Sequence, residues 1–515
     1  MEEQPNLLEI PERPPVEKEA GEPTEPVTPK LRTVDRAQMM MANIYVEELI
    51  PADHKARAIW ELAGRLHLDG FAESLKTQAG GAGRPAWDPR LLVSVWVYAY
   101  SEGIGSAREI ERLLEYEPGF QWLCGLCGIN HHTLSDFRVK QKAALDELFA
   151  QMLALLEKEE LLSLERVMHD GTKVRAQAGS DSFRRQKTVE EHLARARKVV
   201  EGMGDPREDR DRREAAKERA AREREERLRR VAEELEKIRA TKEPAERAAA
   251  RVSLTEPEAR LMKHGDNAMA PSYNLQISTD AKRKAIVGIH LSQSSSDAQS
   301  LPAAVEEMEK NLGRKPEQMV VDGGFTNRGS MEAMAAKQID LIGSMADPAE
   351  RSAAAMKGLG IDPAFAPKFF IWDAATNTMR CPADRALAYK GQSRKNGNVY
   401  RQYQAQAAEC AACPFRAKCC PKSSNGRIVS RLETENEAVA AMRHRMDTPA
   451  AKAIYRQRGE VAEFPNAWIK DKIGLRKFHV RGLAKAATEA VWACLTYNVQ
   501  LWIRLVWRKP TPRAA

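Results

Sequence analysis

The sequence has no apolar run long enough to cross a bilayer and no pattern of a secretory signal. A membrane-spanning helix needs about 20 consecutive apolar residues, and the most apolar run, 91–100, is roughly half that length. The stretch 487–507 is longer, but its charged and amide residues predict a buried helix. Residues 1–30 are rich in Glu and Pro and contain no apolar segment. We therefore expect a disordered lead-in over residues 1–35, no membrane association and a cytoplasmic protein.

Cysteine and excess charge are also scarce. Eight cysteines in 515 residues without a secretory signal do not suggest a disulfide framework. The 81 Lys and Arg residues exceed the 73 Asp and Glu residues only slightly, giving a formal net charge of +8. This mild excess permits a polyanionic partner without requiring one, because charge at this density is usually a solvated surface. The length, by contrast, is enough for several domains.

Residues 36–150 are predicted to form a helical N-terminal domain. Asp88 and Pro89 are typical of a helix start, Ser106 begins a capping box, and Thr133 is expected to cap a further helix. Short helices separated by glycine-containing turns fit a helix-turn-helix DNA-binding domain, and they equally fit any small helical bundle.

Residues 183–262 are dominated by Arg, Glu, Ala and Lys. Sparse apolar residues within this segment predict long helices paired along a thin hydrophobic seam. Two interpretations remain open: a solvated helical insertion, or an arm that grips DNA or dimerises.

The remaining parts of 151–345 show strand patterns. The expected order is strand, strand, strand, helix, strand, helix, strand, over residues 166–174, 273–279, 285–291, 299–312, 318–321, 327–337 and 339–343. This succession is typical of an RNase H-like fold, an α/β class in which helices cover a mixed sheet. Residues 441–515 are expected to complete this core, and residues 346–440 to form a Cys-containing, β-rich insertion.

Three acidic residues are the candidate catalytic groups. Asp170 and Asp322 each follow an apolar run and precede Gly, a pattern that predicts a carboxylate at the end of a strand. Strands one and four are neighbours in the expected fold, so the two carboxylates should meet, with Glu463 as the third. Three carboxylates can hold Mg²⁺ or Mn²⁺ beside phosphates, Asp170 bridging two ions and the others each completing one side. Alternation predicts that His169 points to the opposite face of the strand.

Basic residues surround the third carboxylate in the sequence. Lys470 follows Glu463 by two helical turns, and Arg458 and Tyr455 precede it near the same face if the helix is continuous. Cations at these positions suit a DNA terminus. Glu460 is a competing third ligand, because Pro465 makes the helical phase uncertain.

These motifs resemble those of the DDE transposases of bacterial insertion sequences. The resemblance covers roughly residues 40–507 and rests on Asp170-Gly-Thr-Lys, Tyr273-Asn-Leu-Gln, Asp322-Gly-Gly-Phe, a Tyr-Arg-Glu-Lys signature at Tyr455, Arg458, Glu463 and Lys470, and His132-Thr-Leu-Ser-Asp-Phe-Arg138 in the helical region. One departure is Ala462-Glu463-Phe464, where relatives commonly have Val-Glu-Pro.

The resemblance implies metal-dependent cleavage at transposon ends by water, followed by attack of a 3′-OH on target DNA. It implies transposon-end and target DNA as partners, bound by a homodimer or larger assembly. Tyr455, Arg458 and Lys470 would bind the DNA, and Mg²⁺ or Mn²⁺ would be the cofactor. Two alternatives are a catalytically idle DNA-binding repressor and a structure-specific nuclease on the same fold.

A cysteine cluster is the second candidate metal site. Cys410, Cys413 and Cys419 lie close in sequence, with Cys381 upstream and Cys420 adjacent. Four thiolates are a common ligand set for structural Zn²⁺. The alternative is a set of free thiols in a small β-rich insertion.

Overall fold

The structure is a computed structural model that describes residues 36–37, 39, 43–73, 85–203, 212–345, 356–395, 398–434 and 436–508. The predicted lead-in over residues 1–35 lies outside these ranges. The chain divides into residues 1–45 and 46–515, and every element below belongs to the second unit. None of the described helices is both long and apolar enough to cross a membrane.

The N-terminal part of this unit is helical. A 3-10 turn, Val46–Glu48, precedes α1 (Lys55–Ala63), α2 (Asp69–Ala72), α3 (Pro89–Ser101), α4 (Ala107–Leu113), α5 (Pro118–Cys124), α6 (His131–Lys140) and α7 (Lys142–Lys158). Asp88 caps α3, and the Ser106 side chain accepts a hydrogen bond from the Glu109 backbone N–H, as predicted. The expected cap at Thr133 is wrong, because Asn130, three residues earlier, caps α6 and Thr133 lies within the helix.

A six-stranded mixed sheet forms the centre of the molecule. Its strands are β1 (Arg166–Arg175), β4 (Arg260–Lys263), β5 (Met269–Asp280), β6 (Ile286–Ser292), β7 (Gln318–Val321) and β8 (Asp340–Gly343), with the two-stranded ribbon β2 (Phe183–Arg184) and β3 (Val252–Ser253) outside it. The order is β4-β5-β1-β7-β8, and β6 also pairs with β5. β5 runs antiparallel to β1 and β6, whereas β1, β7 and β8 are mutually parallel.

Two helices connect the strands and cover the sheet. α10 (Leu301–Leu312) joins β6 to β7, and α11 (Arg328–Ala336) joins β7 to β8. The apolar residues of α10, among them Val305 and Met308, pack into the main hydrophobic core. The observed bounds of all five strands and both helices lie within a few residues of those predicted from sequence.

The charged segment forms a pair of long helices, α8 (Gln186–Glu201) and α9 (Arg212–Ala240). Val189, Leu193, Leu228, Val231 and Leu235 form the thin apolar seam between them, with the residues around β3. Most other side chains of α9 are exposed and charged.

A second sheet lies between β8 and the C-terminal helices. It is five-stranded and antiparallel, in the order β13-β12-β11-β10-β9, with strands β9 (Ile371–Asp373), β10 (Thr378–Arg380), β11 (Ala386–Lys395), β12 (Asn398–Ala405) and β13 (Ile428–Thr434). Two short helices, α12 (Ala407–Ala411) and α13 (Arg416–Cys419), connect β12 to β13 and contain Cys410 and Cys419. A β-rich structure was expected here.

The chain returns to the central sheet through helices α14 (Glu437–Asp447), α15 (Pro449–Arg456), a π-helical turn Gly459–Glu463, and α16 (Phe464–Asp471). It then forms α17 (Leu483–Trp502), which ends in a second π-helical turn, Ile503–Trp507. α17 is buried on nearly every side, because it contacts β6 as well as α3 and α7. The N-terminal helices and the central sheet therefore share one core. The domain bounds proposed from sequence stay a prediction.

Candidate active site

Asp170 and Asp322 lie side by side on the central sheet. The parallel pairing of β1 with β7 ends at His169 opposite Val321, so each carboxylate is the next residue along its strand. Asp322 follows the end of β7, as predicted. Asp170 does not end β1, which continues to Arg175 because its other edge remains paired with β5. Asp170 is thus positioned where the sheet loses one neighbour but keeps the other.

Asp170 is the electrostatic centre of the site. Burial, with smaller contributions from the nearby carboxylates of Asp322 and Asp297, raises the pKa of Asp170 to about 6, against the lowering effects of the Arg458 guanidinium and the Gly171 N–H. Gly171 N donates to Asp170 Oδ1 at 2.9 Å, and Asn466 Nδ2 donates to Asp170 Oδ2 at 3.1 Å.

The π-helical turn Gly459–Glu463 packs beneath this part of the sheet. Val461 and Ala462 bury their side chains against Met168 of β1 and Val320 of β7. In a π-helix the backbone hydrogen bonds join residues five apart, instead of the four of an α-helix. Arg458 and Glu463, five apart, therefore share a face, and their side chains form an ion pair at 3.7 Å.

Glu463 and Glu460 differ in what they contact. Glu463 is exposed and paired with Arg458, the same guanidinium that acts on Asp170. Glu460 is exposed and bonded to Lys284 at 2.8 Å. A shared cation places Glu463 on the Asp170 side of the turn.

Lys470 also belongs to this neighbourhood. Burial lowers the pKa of Lys470, as do the Arg476 and Lys173 charges, whereas Asp170 and Asp471 raise it. The structure therefore brings three of the predicted residues, Arg458, Lys470 and Asp322, within electrostatic range of Asp170. Tyr455 lies at the border of the apolar cluster under the π-turn, half-buried.

Sequence reasoning missed Asn466 and Asp297. Asp297 Oδ1 accepts hydrogen bonds from Asn274 Nδ2 and Gln276 Nε2, each at 2.7 Å. A Cβ at position 171 would lie 2.4 Å from Gln276 Nε2 and 2.6 Å from Asp297 Oδ1, so a larger residue there would displace these two side chains. No local sequence pattern singles out either residue, because Asp297 lies in a polar loop and Asn466 in an amphipathic helix. Both residues contact side chains that are distant in sequence.

His169 points away from Asp170, as alternation predicted. It is fully buried, and its Nδ1 and Nε2 bond to Ser278 Oγ at 2.9 Å and to Gln276 Oε1 at 3.0 Å. Burial lowers the pKa of His169 to about 4, so it is neutral at physiological pH. Its ring packs edge-on against Phe325.

The donor set at Asp170 fits a hard divalent cation. Mg²⁺ takes one or two carboxylates and fills its other positions with water and phosphate oxygens, and Asp170 and Asp322 supply those two carboxylates. Asn466 Oδ1, buried beside them, has no hydrogen-bond partner within the protein. Among the described residues no group of three or more His, Cys, Asp or Glu side chains is assembled closely enough to hold a metal ion. Glu463 is linked to Asp170 through Arg458, which pairs with Glu463 and acts on the Asp170 carboxylate.

Five cysteines surround a small cavity of about 30 Å³ beside the second sheet: Cys381, Cys410, Cys413, Cys419 and Cys420. Two of them accept backbone hydrogen bonds at sulfur, Cys381 from Arg385 at 3.3 Å and Cys410 from Arg427 at 3.5 Å. All five are free thiols, as are Cys124 and Cys127. The four predicted zinc ligands line one cavity together with Cys420, although among the described residues these thiols are not assembled closely enough to hold a metal ion.

Comparison with protein families gives two matches. Residues 380–502 match the family described as "Transposase DDE domain", and residues 44–140 match the family described as "Transposase domain (DUF772)". The first match spans strands β11 to β13 of the second sheet, the Glu463 segment and all of α17. Together the two matches support a DDE transposase, a DNA-processing enzyme.

Comparison with whole proteins adds little. None of the curated proteins matches the chain. Among solved structures, one that resembles the chain is described as a piggyBac transposase synaptic complex with hairpin DNA, at 9% identity, covering 89% of this chain and 82% of that one. Its TM-score of 0.25 is too low for any argument from its geometry.

Proposed function

We propose that this chain is the transposase of a bacterial insertion sequence, cleaving DNA at transposon ends and joining the freed 3′ ends to target DNA. The juxtaposition of Asp170 and Asp322 on neighbouring parallel strands, with the Glu463 turn packed against the same strands, carries this proposal. The strand order β6-β5-β1-β7-β8, antiparallel on one side of β1 and parallel on the other, supports an RNase H-like core.

Asp170, Asp322 and Glu463 would hold the catalytic Mg²⁺ or Mn²⁺. When bound, the metal would activate the attacking oxygen and stabilise the charge on the leaving oxygen. Glu463 is exposed and held by a single ion pair.

The basic residues near the carboxylates would bind the DNA strand that reacts. Arg458 offers a planar fork for a phosphate, and Lys470 offers a point charge on the same side. Tyr455 would contact the same strand. We propose that two or more copies act together on paired ends, and that the protein works in the cytoplasm.

We also propose a structural Zn²⁺ held by Cys381, Cys410, Cys413 and Cys419. The cavity that all four cysteines line supports this proposal, because four thiolates are a common ligand set of structural Zn²⁺. The Zn²⁺ would tie β10 to the two short helices between β12 and β13.

The test uses a plasmid that carries the coding sequence with its native flanking DNA, since the ends recognised by such an enzyme lie there. Purified protein with Mg²⁺ should release the element and insert it into a second plasmid. Asp170→Asn, Asp322→Asn and Glu463→Gln should each abolish both steps and leave end binding nearly intact. Glu460→Gln is the matched control and should stay active.

The outcomes separate the alternatives. Cleavage without insertion would favour a structure-specific nuclease. End binding without cleavage in the parent protein would favour a repressor. Full activity of Glu463→Gln would exclude it as the third ligand.

A further inference from the structure

The Asn466 side chain links the helix that follows Glu463 to the Asp170 carboxylate on β1. It lies on α16, three residues after Glu463, and its Nδ2 donates to Asp170 Oδ2 at 3.1 Å across 296 residues of sequence. Gly171 N occupies the other carboxylate oxygen, Oδ1, at 2.9 Å. Each carboxylate oxygen of Asp170 therefore accepts one of these two hydrogen bonds. Together the two bonds fix the orientation of the carboxylate plane.

Asn466 is also buried in an unusual way. It is 8% exposed, and its amide oxygen has no hydrogen-bond partner. An unpaired buried amide oxygen costs free energy that an apolar side chain of similar size would avoid. Its neighbours on α16, Pro465 and Ile469, are buried as well, so an apolar residue at 466 would fit the packing. The polar side chain at position 466 is better explained by its contact with Asp170 than by a contribution to the stability of the folded protein.

We propose that Asn466 is a positioning residue for the divalent cation of the candidate site. It orients the Asp170 carboxylate and fixes the helix that follows Glu463 against β1. This inference rests on the proposed function. Groups that orient the ligands of a metal usually change metal affinity or activity by about 10–100-fold when they are removed.

The first experiment measures Mn²⁺ binding to the full-length protein by electron paramagnetic resonance, without DNA. Asn466→Leu should raise the Mn²⁺ dissociation constant by about tenfold. Ile469→Val, on the same helix and fully buried but without contact to Asp170, is the control for small packing losses and should bind Mn²⁺ like the parent. Unchanged Mn²⁺ binding by Asn466→Leu would overturn the inference.

A second experiment does not depend on a metal or on DNA. The melting temperatures of the parent, Asn466→Leu, Asp170→Ala and the double variant form a double-mutant cycle in buffer with chelator. The two effects should be non-additive, because each single change removes the same hydrogen bond. Additive effects would overturn the inference. A parent protein that binds no Mn²⁺ would instead count against the proposed metal site, and this cycle would then decide the role of Asn466.

Discussion

Asp170→Asn is expected to stabilise the metal-free protein while removing its activity. Burial and neighbouring carboxylates raise the pKa of Asp170 from its usual 3.8 to about 6. One pKa unit corresponds to about 1.4 kcal/mol, so holding this group ionised costs the folded protein up to about 3 kcal/mol at neutral pH. Asparagine has no charge to bury and can still accept a hydrogen bond from Asn466.

The pH dependence of this effect has a definite sign. The folded-state pKa of Asp170 lies above the unfolded-state value, so the folded protein binds the extra proton more tightly. The contribution of Asp170 to the free energy of unfolding should therefore fall as pH rises from about 4 to about 6, and it should stay at the lower value above that range. The advantage of Asp170→Asn should therefore be near zero at about pH 4 and reach its full size at about pH 7.5.

Thermal unfolding in the presence of a chelator, at these two pH values, is the assay. The variant should melt a few degrees above the parent at about pH 7.5. Asp384→Asn is the control, because that carboxylate is 80% exposed and has no burial cost to relieve. Equal melting temperatures of the parent and Asp170→Asn at both pH values would show that the folded protein does not penalise the ionised Asp170 carboxylate.

Three further predictions concern DNA, zinc and the third carboxylate. Arg458→Ala and Lys470→Ala should each weaken binding to transposon-end DNA and reduce the slope of log affinity against log salt concentration by about 1, with base preference unchanged; an unchanged slope for Lys470→Ala would leave it a packed surface residue. Cys413→Ser should lower zinc content, measured by elemental analysis, below the roughly one ion per chain expected of the parent, whereas Cys127→Ser should not; a parent without zinc would contradict the thiolate site. Glu463→Gln should lose Mg²⁺-dependent cleavage and Glu460→Gln should retain it, and the reverse result would transfer the third ligand to Glu460.

The central sheet could be predicted because its local signals agree with its global structure. Alternation located β5 and β6, and a short apolar run before Asp-Gly located β7 within one residue. The length of β1 could not be predicted, because its extension past Asp170 depends on pairing with β5, about a hundred residues later. The choice of Asn130 over Thr133 as the cap of α6 was similarly open, since both residue types favour that position.

The candidate site was predicted in part for the same reason. Each of the two aspartates follows an apolar, strand-like run and precedes glycine. The spacing of Arg458, Glu463 and Lys470 can also be read from the sequence. The π-helical turn is not visible there, because it depends on how Val461 and Ala462 pack under β1 and β7. The roles of Asn466 and Asp297 depend on contacts across 296 and 23 residues respectively, which no local pattern encodes.

The central claim is that Asp170, Asp322 and Glu463 converge on one cation site, and iron-mediated protein cleavage tests it most directly. Fe²⁺ bound in place of Mg²⁺, with ascorbate and peroxide, cuts the backbone close to the ion. The account predicts fragments that end near residues 170, 322 and 463, which excess Mg²⁺ suppresses and Asp170→Asn removes. Cleavage near 170 and 322 alone, with residue 463 untouched in the presence and absence of DNA, would contradict the three-carboxylate site.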